Sequence, residues 1–127
     1  MMRRAATLLR RSGRDEALDP AAILSALPEP VLVVDREGLI RFVNLQAQAF
    51  FDVSAARVEG QPLSDLIPAD SPIFALIDQA RQTHSRVSEY GVGLDTPRIG
   101  SHVVGAQAAP LADPPDLVVL TLHERSI

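Results

Sequence analysis

Three histidines, sixteen acidic side chains and no cysteine bound what chemistry this chain can do. Glu29, Asp35, Glu37, Asp65 and Glu89 do not pair at spacings that suit general acid–base work. No Ser/His/Asp order and no phosphate-cradling loop accompanies them. They read as caps, turn formers and solvated faces. The lack of cysteine removes disulfides, thiolate metal sites and cysteine-linked chromophores. His84 would close the longest helix. As an axial haem ligand it would need propionate partners, and Arg81 and Arg86 are the cations at hand. As a helix-terminal histidine it would meet exposed carbonyls and the negative end of the dipole, which asks for no cofactor. With Tyr90, four phenylalanines and no tryptophan, core packing accounts for the aromatic supply and no flavin is expected. A small-molecule pocket between sheet and helices would draw on Asn44, Phe50, Ile77, Tyr90 and Gln107, unless side chains fill it.

Those residues hang on one unit. Val31 to Val34 is a short apolar, branched run too bounded for a helix, so a strand is predicted. Asp35 can bond backbone two residues on, and Gly38 can take the left-handed conformation that closes a bulged hairpin loop. The chain returns through Ile40 to Val43. Asn44 then precedes Leu45 to Phe51, where its side-chain oxygen can cap a helix.

Before this unit, Asp19-Pro20 predicts a helix start, and Ile23, Leu24 and Leu27 share one face of it. Pro28 and Pro30 force an extended entry to the first strand. After the unit, Ser54 to Gly60 and Ser64 to Pro68 each read as a single turn with a cap and a stop. Ser71-Pro72 starts the longest helix, running to about Thr83, with Ile73, Phe74, Leu76, Ile77 and Ala80 in one stripe. From Arg86 the period becomes two, with Ser88, Tyr90, Val92 and Leu94 on one side. Ile99 to Ala109 and Leu117 to Leu122 complete three closing strands.

Helix, two strands, a helical block and three strands predict an α+β fold with an antiparallel sheet. The first and last strands are apolar on both faces, so both faces of the sheet centre need cover. The helical block supplies one cover. The Pro20–Leu27 helix or a second copy of the chain is the candidate for the other.

At 127 residues, 46% hydrophobic and 22% charged, the chain has the make-up of one globular domain. A net charge of −4 argues against a nucleic-acid partner. No apolar run approaches the roughly 20 residues that span a bilayer, so no membrane partner and a cytoplasmic location are expected. Residues 1–18 read as a flexible basic leader with five arginines before Asp15, and residues 19–127 as the domain.

The element order, with the Asp35–Gly38 turn, the Asn44 cap, Gly60-Gln61-Pro62-Leu63 and Asp65-Leu66-Ile67-Pro68, resembles a PAS domain. Further stretches narrow the likeness: Ser25-Ala26-Leu27-Pro28-Glu29-Pro30-Val31, Phe50-Phe51, Ser71-Pro72-Ile73-Phe74, Glu89-Tyr90-Gly91-Val92, Thr96-Pro97-Arg98-Ile99-Gly100 and Leu122-His123-Glu124-Arg125-Ser126. Together they resemble the N-terminal sensory domain of an NtrB-type nitrogen-regulation histidine kinase. That resemblance implies a five-stranded antiparallel sheet with helices on one face and an N-terminal helix. It implies a cytosolic homodimer that autophosphorylates on histidine, passes phosphate to an NtrC-type response regulator and answers to a PII signal protein. His84, His102 and His123 lack the neighbours of a phospho-acceptor, and no nucleotide lid is present, so the kinase core is absent from this chain. A non-catalytic sensor module is expected, with Ile23, Leu24 and Leu27 for dimerisation and Glu124 and Arg125 for signal relay. The alternatives are a free-standing ligand- or haem-binding sensor and a small α+β enzyme.

Overall fold

The computed structural model describes residues 17–114 and 116–124. Most of the leader, and Arg125, lie outside the described residues.

Helix α1 is Pro20–Ala26, with Asp19 accepting from the Ala21 amide and proline at the first position. It is followed by strands β1 (Val31–Val34) and β2 (Ile40–Val43). One Asp35 side-chain oxygen accepts from the Glu37 and Leu39 amides, and Gly38 takes φ +83°, so the loop closes as its residue types dictate. Helix α2 (Leu45–Phe51) and the single turn α3 (Ala55–Val58) follow, then a 3-10 turn at Leu63–Asp65. The longest helix, α4 (Pro72–Thr83), is capped by Ser71 and buries Ile73, Leu76, Ile77 and Ala80. Three long strands close the chain: β3 (Val87–Thr96), β4 (Gly100–Pro110) and β5 (Val118–Glu124).

All neighbours in the sheet are antiparallel, in the order β2-β1-β5-β4-β3. The first and last strands are therefore the centre. Their inner faces carry Leu32, Val34, Val118, Leu120 and Leu122, none more than 1% exposed, and the core forms between them and α2, the 3-10 turn and α4. Arg81 ties α4 down by donating to the carbonyl oxygens of Asp35 and Asp116. The free side of β2 is stitched by backbone bonds: Ile40 donates to Gln61, Gly60 to Ile40 and Leu63 to Gly38.

The regular alternation read for the third strand does not survive folding. Glu89 stands opposite Ala106 but Val92 stands opposite Val104, so the segment holds one extra residue, with Gly91 at φ +69°. This bulge turns Tyr90 to the outer face while Val92 and Leu94 point into the core. Tyr90 is 79% exposed and lies over Gly105, where an added Cβ would meet its ring at 3.5 Å.

Among the described residues, no helix is laid across the outer face of the sheet. Helix α1 buries none of its residues, with Ile23 49% and Leu27 43% exposed. Val33, Val119 and Ala109 are half-buried on that outer face, and Val103 is exposed.

Candidate functional site: the node at Asn44 and the end of the last strand

Asn44 follows β2 directly, so the strand delivers its side chain to the start of α2. It is fully buried. Its side-chain oxygen accepts from Ala47, which caps α2, and from Val31, which opens β1, both at 2.9 Å. Its amide donates to the carbonyls of Leu24 at 2.8 Å and Glu29 at 3.0 Å. Four bonds use the full capacity of the carboxamide. Asn44 therefore joins α1, the connection after it, β1 and α2, and has nothing left for a ligand.

The five pocket residues read from sequence do not converge. Asn44 is spent, and Ile77 is packed in the core on α4. Tyr90 and Gln107 face outward, where they share a groove of about 340 Å³ with Ser88, Thr121 and His123. The bulge reverses Tyr90, and Gln107 pairs with Thr121 and Ser88 on the outer side of the ladder. Phe50 is half-buried, edge-on to Phe51 at 4.9 Å and 5.2 Å from the His102 ring. The expected pocket between sheet and helices is thus corrected to grooves at the periphery. One of about 350 Å³ lies among Ile40, Phe51, Val58 and Leu66, flanked by Arg57 and Arg98. Arg98 is held there by donating to the Asp52 carbonyl at 2.7 Å.

His84 caps α4 in a left-handed conformation, with its backbone amide bonded to Ala80. It is exposed.

The end of β5 holds contacts that no sequence motif announced. The Nδ1 of His123 meets a carboxylate oxygen of Glu29 at 2.5 Å, and Glu124 meets Nδ1 of His102. The second His102 nitrogen lies 2.9 Å from the Ile99 carbonyl. Both ring nitrogens of His102 thus face acceptors, a demand only the imidazolium satisfies in full. Its pKa is raised accordingly, first by the bond to Glu124, then by the Ile99 carbonyl. Glu29 is also the residue whose carbonyl Asn44 holds. A continuous path of bonds runs from α1 through Asn44 and Glu29 to the last strand. Between them Leu122 donates to Pro30 at 3.0 Å.

A family model for the PAS fold matches residues 18–125. The chain belongs to the PAS family. It is 52% identical over 110 residues to the sensory histidine kinase/phosphatase NtrB of Azospirillum brasilense, covering 87% of this chain and 28% of that protein. It is 38% identical over 107 residues to the NtrB of Rhizobium meliloti, covering 84% of this chain and again 28% of the relative. This PAS chain therefore spans less than a third of the length of the curated relatives it matches. Among solved structures, the PAS domain of nitrogen regulation protein NR(II) from Vibrio parahaemolyticus superposes with a TM-score of 0.71 at 26% identity. That match covers 87% of this chain and all of the other. The sequence reading of a PAS fold of the NtrB type stands, as does the five-stranded antiparallel sheet. No helix among the described residues is long and apolar enough to cross a membrane.

Proposed function

We propose that this chain is the sensory and dimer-forming PAS module of a cytoplasmic NtrB-type histidine kinase that regulates nitrogen assimilation. It is non-catalytic by itself. The parent kinase would phosphorylate an NtrC-type response regulator and answer to a PII signal protein. The observation that carries this reading is the 52% identity to an NtrB over nearly the whole domain. The module needs no bound cofactor, so protein made with haem supplied should show no Soret absorbance.

The dimer reading draws on the outer sheet face and on α1. Val33, Val119 and Ala109 are half-covered, and Ile23, Leu27 and Val103 are open. A second copy would cover apolar surface that this chain leaves wet, a gain of about 25 cal/mol per Å² before the costs of association. Relay then follows from differential affinity: partner or signal binds better to one arrangement of the β5 exit than to another. Analytical ultracentrifugation of Ile23→Asp/Leu27→Asp tests the surface. The wild type should sediment as a dimer and the double variant as a folded monomer. An unchanged dimer removes α1 from the interface.

A ligand-binding sensor is the second reading, favoured by the groove between Arg57 and Arg98.

A further inference from the structure

Consecutive residues of a strand point to opposite faces of its sheet. At the end of β5 this has a particular result. His123 lies opposite Gly105 on the outer face, and Glu124 lies opposite Val104 on the inner face. His123 is bonded outward to Glu29, on the connection that follows α1. Glu124 is bonded inward to His102 on β4. The last two residues of the strand are therefore gripped from both sides, each time by an imidazole and a carboxylate.

We propose that the Glu29–His123 and Glu124–His102 pairs form a two-sided, proton-sensitive clasp that fixes the direction in which the chain leaves β5. Its place in signalling rests on the relay reading above, but the clasp itself is a property of this chain. With both imidazoles protonated, each pair is a charge-assisted hydrogen bond. Loss of the protons leaves neutral rings. Neutral His102 can donate to Glu124 or to the Ile99 carbonyl but not to both. The strand end then loosens, while its core portion, anchored by Leu120 and Leu122, stays put.

Among the described residues, few other titratable groups face the two pairs. The outer groove beside His123 offers Glu29 and Tyr90 as its other titratable groups, with Ser88, Gln107 and Thr121 neutral. Among the described residues, the groove beside Glu124 adds Gln46 and Phe50 from α2 and no further charge beyond Glu29 and His123. Against His102, α2 presents the Phe50 ring and the turn before β4 the Ile99 carbonyl. Arg98, next to Ile99, is engaged with Asp52.

Amide hydrogen exchange on this chain, expressed as protection factors so that intrinsic pH effects cancel, reads the clasp directly. Protection at His123, opposite Gly105 on β4, should fall about tenfold as pH rises from about 5 to about 9, while protection at Leu32, Leu120 and Leu122 holds. The double variant His102→Gln/His123→Gln should show low protection at the strand end and no pH step. Each single variant should keep part of the step. A pH-independent strand end in the wild type, or a step that survives in the double variant, overturns the clasp. So does a step that one single substitution abolishes entirely, since the grip would then be one-sided. Sedimentation at both pH values separates this outcome from a failed dimer, because the exchange pattern is read whether or not copies associate.

Discussion

A carboxamide in the position of Asn44 cannot be exchanged for any other side chain without orphaning something. Alanine there would strip the cap from α2 and leave the Val31 amide and the carbonyls of Leu24 and Glu29 without partners. Such losses cost about 1 kcal/mol for the cap and about 1–3 kcal/mol for each buried group that water does not reach. Asn44→Ala should lower stability by about 3 kcal/mol or more in urea titrations. Asn44→Asp keeps both accepting roles but turns a donor toward two carbonyls into an acceptor. It should also destabilise, and a fully stable Asp variant would show that the amide donors are dispensable. His102 supplies the other residue-level expectation. Its pKa is raised in the folded protein, chiefly by Glu124, so its contribution to stability is complete below the unfolded value of about 6.5. The contribution disappears as pH climbs through the higher folded value. Imidazole resonances followed by NMR should place His102 above an unfolded reference peptide, and Glu124→Gln should bring it back down.

At the scale of elements, two features decide which surfaces meet. The bulge in β3 is the first. Gly91 has open space around its Cα, so a side chain there meets no neighbour and only the backbone objects. Gly91→Ala should cost about 1–2 kcal/mol, the left-handed penalty for a residue with a Cβ, with no change in the packing of Val92 or Leu94. The second is Arg81, whose guanidinium joins α4 to the hairpin at Asp35 and to the segment before β5 at Asp116. Arg81→Lys, a point charge in place of a planar fork, should lose about 1–2 kcal/mol by thermal or chemical denaturation. Neither feature was readable in advance, and the reasons are physical. A period-two pattern reports side-chain parity, and one extra residue inverts that parity without altering the letters on either side. Arginine at position 81 sits at a spacing that suits a solvated helix face, and the two carbonyls that claim it lie 46 and 35 positions away. The hairpin, the Asn44 cap and α4 were legible because Asp35, Gly38, Asn44 and Ser71 act on backbone within a few residues of themselves. The pocket was not, since it depended on parity and on distant faces meeting.

At the scale of the molecule, the sheet divides the protein into a dry side and an apolar side that α1 does not roof over. The sequence pattern did convey that the central strands carry branched residues on both faces. It could not convey how little of the outer side α1 would shield, because Ile23 and Leu27 form a stripe whichever partner they meet. If the outer face is where copies join, Val103→Asp should weaken association in sedimentation while leaving the monomer's unfolding free energy in urea within about 0.5 kcal/mol, as surface changes do. A variant that both dissociates and unfolds would mean that no stable monomer exists.

The stitched margin of β2 bears on how this domain survives at high concentration. Strand edges invite further strands, and an unprotected row of amides is the usual starting point for runaway polymerisation. On the β2 side the Ile40 amide already donates to the Gln61 carbonyl, and the carbonyls of Ile40 and Gly38 already accept from Gly60 and Leu63. The opposite margin, β3, is kinked at Gly91 and lined with Glu89 and Asp95, so an incoming strand would find neither a straight template nor a neutral one. Among the described residues the sheet ends at five strands with both margins guarded, so crowding at high concentration has no open edge from which to seed fibres.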